Sequence, residues 1–255
     1  MTGRPRLAAG TVEVGALRLH VRTGRPGGAC ATPALLVPGL GSSSRYLEPL
    51  GAELASDRLV VAPDLPGTGR SPRAAGPLSL DELAGTLRRL MERMTGPATV
   101  VANSFGCIVA IELALRAPDL VERLVLTSPV LAPRARSPVP LVLRFARAMR
   151  HEPPRYLAMV LVDVLRASVP KGWADLRVLL EVPVLERAAD LTVPTLVVRG
   201  TRDHLVPPPF ARRVAARIPR GEFAELDSSH ALPFAAPRAL ADLVRSAGAT
   251  PGTPR

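Results

Sequence analysis

The sequence predicts an α/β protein: a mainly parallel sheet flanked by helices, with a helical cap inserted between two strands. Three observations carry that reading. Short runs such as ALLVPG (34–39), RLVVAPD (58–64), ATVVAN (98–103), RLVLTS (123–128) and PTLVVRG (194–200) are apolar on both faces, as strands of a doubly covered sheet are. Helical patterns alternate with them, which implies crossover connections and parallel pairing. Residues 133–189 break the alternation, with three helical patterns and no strand between them.

TVEV (11–14) and LRLHVR (17–22) flank Gly15-Ala16 and read as a β-hairpin. After the first buried strand, a helical pattern runs from Ser44 to Ala55. The strand at 58–64 is followed by the turn-rich LPGTGRSP. Ser79-Leu-Asp-Glu82 is a capping box that opens a helix through Met94. A strand at 98–103 leads directly into a helix stopped by Pro118. In the interruption, Leu141, Phe145 and Met149 share one face of the first helical pattern. The second, Tyr156 to Arg166, is apolar almost all round, and the third carries Trp173, Leu176, Leu179 and Leu180. Beyond PTLVVRG come a helix from Pro208 to Ile218, the strand EFAEL (222–226) and a last helix from Phe234 to Ser246. The expected organisation is a core of residues 1–132 and 190–247, a cap of 133–189, and a disordered tail of 248–255.

The 255 residues are 47% hydrophobic and 22% charged, the balance of a soluble globular protein. Net charge is +11, almost entirely from arginines, since Lys171 is the single lysine. The arginines are dispersed and aromatics are 3%, which argues against nucleic acid as a partner. Two cysteines, Cys30 and Cys107, do not suggest a disulfide framework. No apolar leader opens the chain and no run is long enough to span a bilayer, so a cytoplasmic protein with no membrane partner is expected.

The junction ANSFG (102–106) places Ser104 between a strand and a helix with no loop. Such a junction is the setting of a nucleophile elbow, which needs small residues two positions before and after the serine. Gly106 fits and Ala102 adds one methyl. A serine hydroxyl needs a base, and the base an orienting carboxylate. Asp203 follows the strand at 194–200 and His230 follows EFAEL. All three therefore fall at one edge of a parallel sheet, where such sheets bind ligands. VPGLGSSS (37–44) supplies a flexible turn for an oxyanion hole, with the backbone N–H of Leu40 as first donor and that of Phe105 as second.

PGLGSS (38–43), APDLPGTGRS (62–71), ANSFG (102–106), RGTRDHLVP (199–207) and DSSHALP (227–233) occur in an order and spacing that resembles the α/β-hydrolase fold with a small helical cap. The resemblance runs from residue 11 to 247. It implies an α/β-hydrolase sheet and a serine hydrolase cleaving a mostly apolar ester, thioester or lactone through an acyl-enzyme, without cofactor or metal. Departures from the family pattern are Pro38 where His is common, Thr68 in the loop after the fourth strand, Ala102, and Cys107 after Gly106. Two other readings keep the fold: hydrolysis of a C–C bond in a ring-fission product, or acyl transfer or cyclisation in a biosynthetic pathway. A third makes the chain a ligand-binding protein with a slow or vestigial triad. Candidate substrate contacts are Gly39, Gly41, Tyr156, Met159, Trp173 and Leu205, although Tyr156, Met159 and Trp173 read more readily as cap core than as substrate contacts.

Plainer readings compete. Ser104 alone could be a helix N-cap. His204 is the rival base, but it shares the loop of the acid it would need. Asp227 could shape the turn before His230, and Asp64 could hold the PGTGRS loop by hydrogen bonds. Gly39-Leu-Gly41 is a partial dinucleotide fingerprint whose third glycine is replaced by Ser44.

Overall fold

The computed structural model describes residues 7–28, 31–130, 139–166 and 169–246. β1 (Ala8–Val14) and β2 (Leu17–Gly24) form the expected hairpin, longer than the sequence pattern and turned at Gly15, which takes φ +60°. β3 (Ala31–Val37) leads through a 3-10 turn at Ser44–Leu47 into α1 (Glu48–Leu54), then β4 (Arg58–Pro63) and α2 (Leu80–Met94). Ser79 and Glu82 make the reciprocal capping-box bonds at the start of α2. β5 (Ala98–Asn103), α3 (Phe105–Arg116) and β6 (Val121–Thr127) follow. Among the described residues, α4 (Val139–Met149), α5 (Pro154–Arg166), α6 (Val169–Glu181) and α7 (Val184–Ala189) intervene before β7 (Thr195–Gly200). α8 (Pro208–Arg217), β8 (Gly221–Leu226), α9 (Leu232–Ala235) and α10 (Pro237–Ser246) complete the order.

The eight strands form one sheet in the order β1-β2-β4-β3-β5-β6-β7-β8. β1, β2 and β4 pair antiparallel, and every pairing from β4 through β3 to β8 is parallel. Successive strand residues belong to opposite cores. Leu35 and Val37 of β3 pack with α2 and α3, whereas Ala34 and Leu36 pack with α1 and α10. Val100 and Val101 of β5 divide in the same way. This two-sided burial is why the strands lack alternation in sequence.

Three elements differ from expectation. The last helix is split, because Pro237 forces Ala236 out of the helical region (φ −135°, ψ 53°). α7 is an additional short helix, too brief to show a period. α5, apolar almost all round in sequence, is sided in the fold: Tyr156 and Asp163 are buried with Met159 and Val160 packed beside them, while Leu161, Val164 and Leu165 are exposed. Cys30, residues 133–138 and the tail 248–255 lie outside the described residues.

Candidate active site

β5 ends at Asn103 and α3 begins at Phe105, so Ser104 alone makes the turn. Its backbone lies at φ 56°, ψ −121°, a region that residues with a Cβ seldom occupy. A capping serine would be extended and would accept an N–H of the helix; Ser104 makes no such bond. The tight junction explains its small neighbours. A Cβ on Gly106 would sit 2.5 Å from Pro38 O and 2.8 Å from Val37 O, so α3 starts almost against the end of β3. Ala102 is buried in the core, and its carbonyl accepts from Thr127 Oγ1 at 2.8 Å. Cys107, next in the helix, is buried, and burial pushes its thiol well above the ordinary range, so it is not a thiolate at neutral pH.

Asp203 and His230 meet on the loops after β7 and β8. His230 Nδ1 lies 2.9 Å from Asp203 Oδ2. The other carboxylate oxygen accepts the N–H groups of Leu205 (2.8 Å) and Val206 (3.0 Å), which fixes its plane. Burial by itself would raise the Asp203 carboxyl. The imidazole and these N–H groups outweigh it and hold the carboxyl below its usual value. The Ser128 hydroxyl, on a backbone at φ 49°, also lies close enough to favour the carboxylate, but its geometry falls short of a full hydrogen bond. His230 is the mirror case: burial would lower it, and Asp203, then Glu152, raise it above the free imidazole. Gly200 is needed where these loops cross, since a Cβ there would lie 2.4 Å from the carbonyls of Ser228 and Ser229. His204 is not brought to Asp203; it stacks on His151 with ring centroids 4.1 Å apart. Asp227 is exposed and pairs with Arg202. Among the described residues no hydrogen bond joins Ser104 Oγ to His230, and no three His, Cys, Asp or Glu side chains are grouped to hold a metal ion.

The turn after β3 is held from three sides. Gly39 N–H donates to Tyr46 Oη (2.8 Å), and the tyrosine donates onward to Asn103 Oδ1 (3.0 Å). Asn103 Nδ2 donates to Thr127 O, Thr127 Oγ1 and His230 O. The residue before Ser104 thus ties the turn, β6 and the His230 loop together. Asp64 accepts the N–H and hydroxyl of Ser44 through one oxygen and Arg70 N–H through the other, which is the loop-holding role its position suggested. Gly41 takes φ 62°. The roles of Tyr46 and Asn103 were not legible from motifs. Asn beside the serine was the one visible signal.

The cap reaches both sides of this edge through carboxylates that sequence reasoning missed. Asp163 of α5 accepts Ser43 N–H (2.8 Å) and Oγ–H (2.7 Å) on the turn after β3. Glu152, between α4 and α5, accepts His230 N–H at 2.7 Å and Ser229 Oγ–H at 2.8 Å. Tyr156 is buried against Tyr46 and Phe234, and Met159 packs partly buried on the same core. Leu205 is buried in the other core. Trp173 is 61% exposed, so it is neither cap core nor an enclosed wall. A cleft of about 250 Å³ between α6 and the loop after β4, walled by Pro66, Arg73, Leu78, Lys171 and Asp175, includes none of Ser104, Asp203 and His230.

The alpha/beta hydrolase family profile matches residues 34–243, and the chain belongs to that family. It is similar to lipase LipV of Mycobacterium tuberculosis, 31% identical over 89% of this chain and 97% of that one. It is also similar to RutD of Azorhizobium caulinodans, described as a candidate carbamate hydrolase, at 29% identity over 81% and 87% of the two chains. Among solved structures, the enol-lactonase of Burkholderia xenovorans LB400 shares the fold with a TM-score of 0.76, at 23% identity over 93% of this chain and 99% of that one. The family and the two sequence relatives support a hydrolase. No helix among the described residues is long and apolar enough to cross a membrane.

Proposed function

We propose that the protein is a serine hydrolase that cleaves a mostly apolar carboxylic ester, thioester or lactone through an acyl-enzyme. The observation that carries this reading is Ser104: a serine at positive φ, on a strand–helix turn, whose hydroxyl does not cap the helix. In the proposed reaction His230 Nε2 takes the hydroxyl proton as Ser104 Oγ attacks the carbonyl carbon. The tetrahedral intermediate collapses, and the imidazolium returns the proton to the leaving oxygen or sulfur. Water, deprotonated by the same imidazole, then releases the acid and frees Ser104. Asp203 holds the ring with Nδ1 protonated and stabilises the imidazolium. The oxyanion donors are the N–H groups of Leu40 and Phe105. Gly39 N–H is already committed to Tyr46, which favours Leu40 as the donor from the turn. The apolar acyl preference is supported by the relative described as a lipase.

The test is intact-mass analysis after treatment with a fluorophosphonate, beside Ser104→Ala. One adduct per chain, lost in the variant, is the expected result. A folded wild-type protein that forms no adduct, at any pH from about 6 to 9, would sink the reading. With an adduct in hand, a series of ester and thioester chain lengths defines the acyl preference.

A further inference from the structure

Glu152 is a buried carboxylate, 5% exposed, in the turn between α4 and α5. Its two oxygens serve three consecutive residues: Oε1 accepts His230 N–H (2.7 Å), and Oε2 accepts Ser229 Oγ–H (2.8 Å) and, more weakly, Ala231 N–H (3.4 Å). Among the described residues no lysine or arginine pairs with it. A buried carboxylate without a cation is costly unless something compensates it. Here the compensation comes from hydrogen bonds and from a group that becomes cationic, the His230 imidazole.

We propose that Glu152 is a positioning residue for the His230 base: the cap holds the base-bearing loop through this carboxylate and places a second negative charge beside the imidazole. The proposal rests on the hydrolytic reading of Ser104, His230 and Asp203. It couples cap seating to proton transfer, since a cap that lifts takes Glu152 away from His230. The charged and titratable groups facing the imidazole are Asp203 from the loop after β7 and Glu152 from the cap. Tyr156 of α5 has its hydroxyl raised by burial and then by the Glu152 carboxylate, and His151 and His204, whose ring centroids lie 4.1 Å apart, adjoin the two carboxylates in sequence. Burial opposes a charged Glu152, and the bonds from Ser229, His230 and Ala231 offset part of that cost. Removing the charge therefore lets the imidazole fall toward its ordinary value.

The rate of Ser104 phosphonylation by a fluorophosphonate, measured against pH, reads the base without a known substrate. In wild type the rate rises with pH as His230 loses its proton. Glu152→Gln keeps an oxygen for His230 N–H and loses the charge, so its acid limb moves to lower pH by at least about 0.5 unit. A purely structural carboxylate would leave the midpoint in place. Glu152→Asp keeps the charge and withdraws the oxygens from the loop, so its midpoint stays with wild type while the plateau rate falls about tenfold or more. Coincident midpoints for wild type and Glu152→Gln overturn the proposal. If Glu152→Gln does not fold, a wild-type plateau rate in Glu152→Asp overturns it. A folded wild type that never labels overturns the hydrolytic reading and this proposal with it.

Discussion

The contact between α3 and β3 makes Gly106→Ala a sharp probe. The new Cβ would begin 2.5 Å from Pro38 O and 2.8 Å from Val37 O. A comfortable C···O contact is about 3.3 Å, so the two backbones must part by roughly 0.8 Å. Neither neighbour can give by rotating a side chain. Val37 is also locked in register with Ala102 on the adjacent strand. Overpacking of this kind costs about 1–3 kcal/mol. For a chain of this size that lowers Tm by roughly 3–10 °C. Pro38 leads directly into Gly39 and Leu40, so the displacement carries a proposed oxyanion donor with it. A misplacement near 1 Å costs about a hundredfold, and a 30- to 100-fold slower phosphonylation of Ser104 is expected. Gly172→Ala is the control, because nothing lies within 4 Å of its Cβ position in α6. It should label like wild type and melt no lower, since Ala is the better helix former at an open position. A Gly106→Ala protein that melts and labels like wild type would falsify the claim that this contact sets the elbow.

Asp203→Asn should slow labelling and ester turnover by roughly a thousandfold or more, because the imidazole loses the partner that fixes its tautomer; a loss below tenfold would remove Asp203 from its role. The wild-type acid limb should lie above 6.5, the ordinary imidazole value, since His230 is raised and must be neutral to act. The same shifts set a stability window. The raised His230 stabilises fully below 6.5 and loses its effect as pH rises through the folded value. The lowered Asp203 stabilises above 3.8 and loses its effect as pH falls through its folded value. The gap in Tm between wild type and Asp203→Asn should therefore peak between about 4 and 6.5, and a gap flat from pH 3 to 9 contradicts the pairing. Asp163→Ala leaves Ser43 N–H and Oγ without their acceptor, at a cost of about 1–3 kcal/mol, and should also slow labelling by loosening the turn after β3. An unchanged melting curve would show that the cap does not brace that turn.

The sheet was legible because its physics is repetitive. Strands buried on both faces must be apolar throughout, and β3 to β7 each read that way. The junction between β5 and α3 was legible because it leaves room only for small residues: Ala102 and Gly106 flank Ser104, and a Cβ at 106 would meet the end of β3. The boundaries that escaped did so for local reasons. Pro237 was read as interior to one helix when it ends α9 and opens α10, and α7 has fewer than two turns in which to show a period.

The cap shows why the remainder was hidden. Hydrophobic periodicity assumes that the apolar stripe of a helix faces inward. In α5 that assumption holds for Tyr156, Met159 and Val160 but misplaces Asp163: it interrupts an apolar run, which argues for exposure, yet it is buried on the inward side. Glu112 repeats the case inside the apolar α3, where it is buried and paired with Arg116 and Arg187. The cost of burying a carboxylate supplies the missing rule. An acid within an otherwise apolar helix either turns to solvent or has partners to meet it, and each of these two has a distant one: Ser43 for Asp163 and Arg187 for Glu112. For Asp163 the partner is Ser43, 120 positions away. No local pattern encodes such a distance, but the isolated acid marks where to look for it. Glu152 in HEPP (151–154) falls outside that rule, because it stands in a turn and not in an apolar helix, and its partners on the His230 loop, 77 to 79 positions away, emerge only in three dimensions.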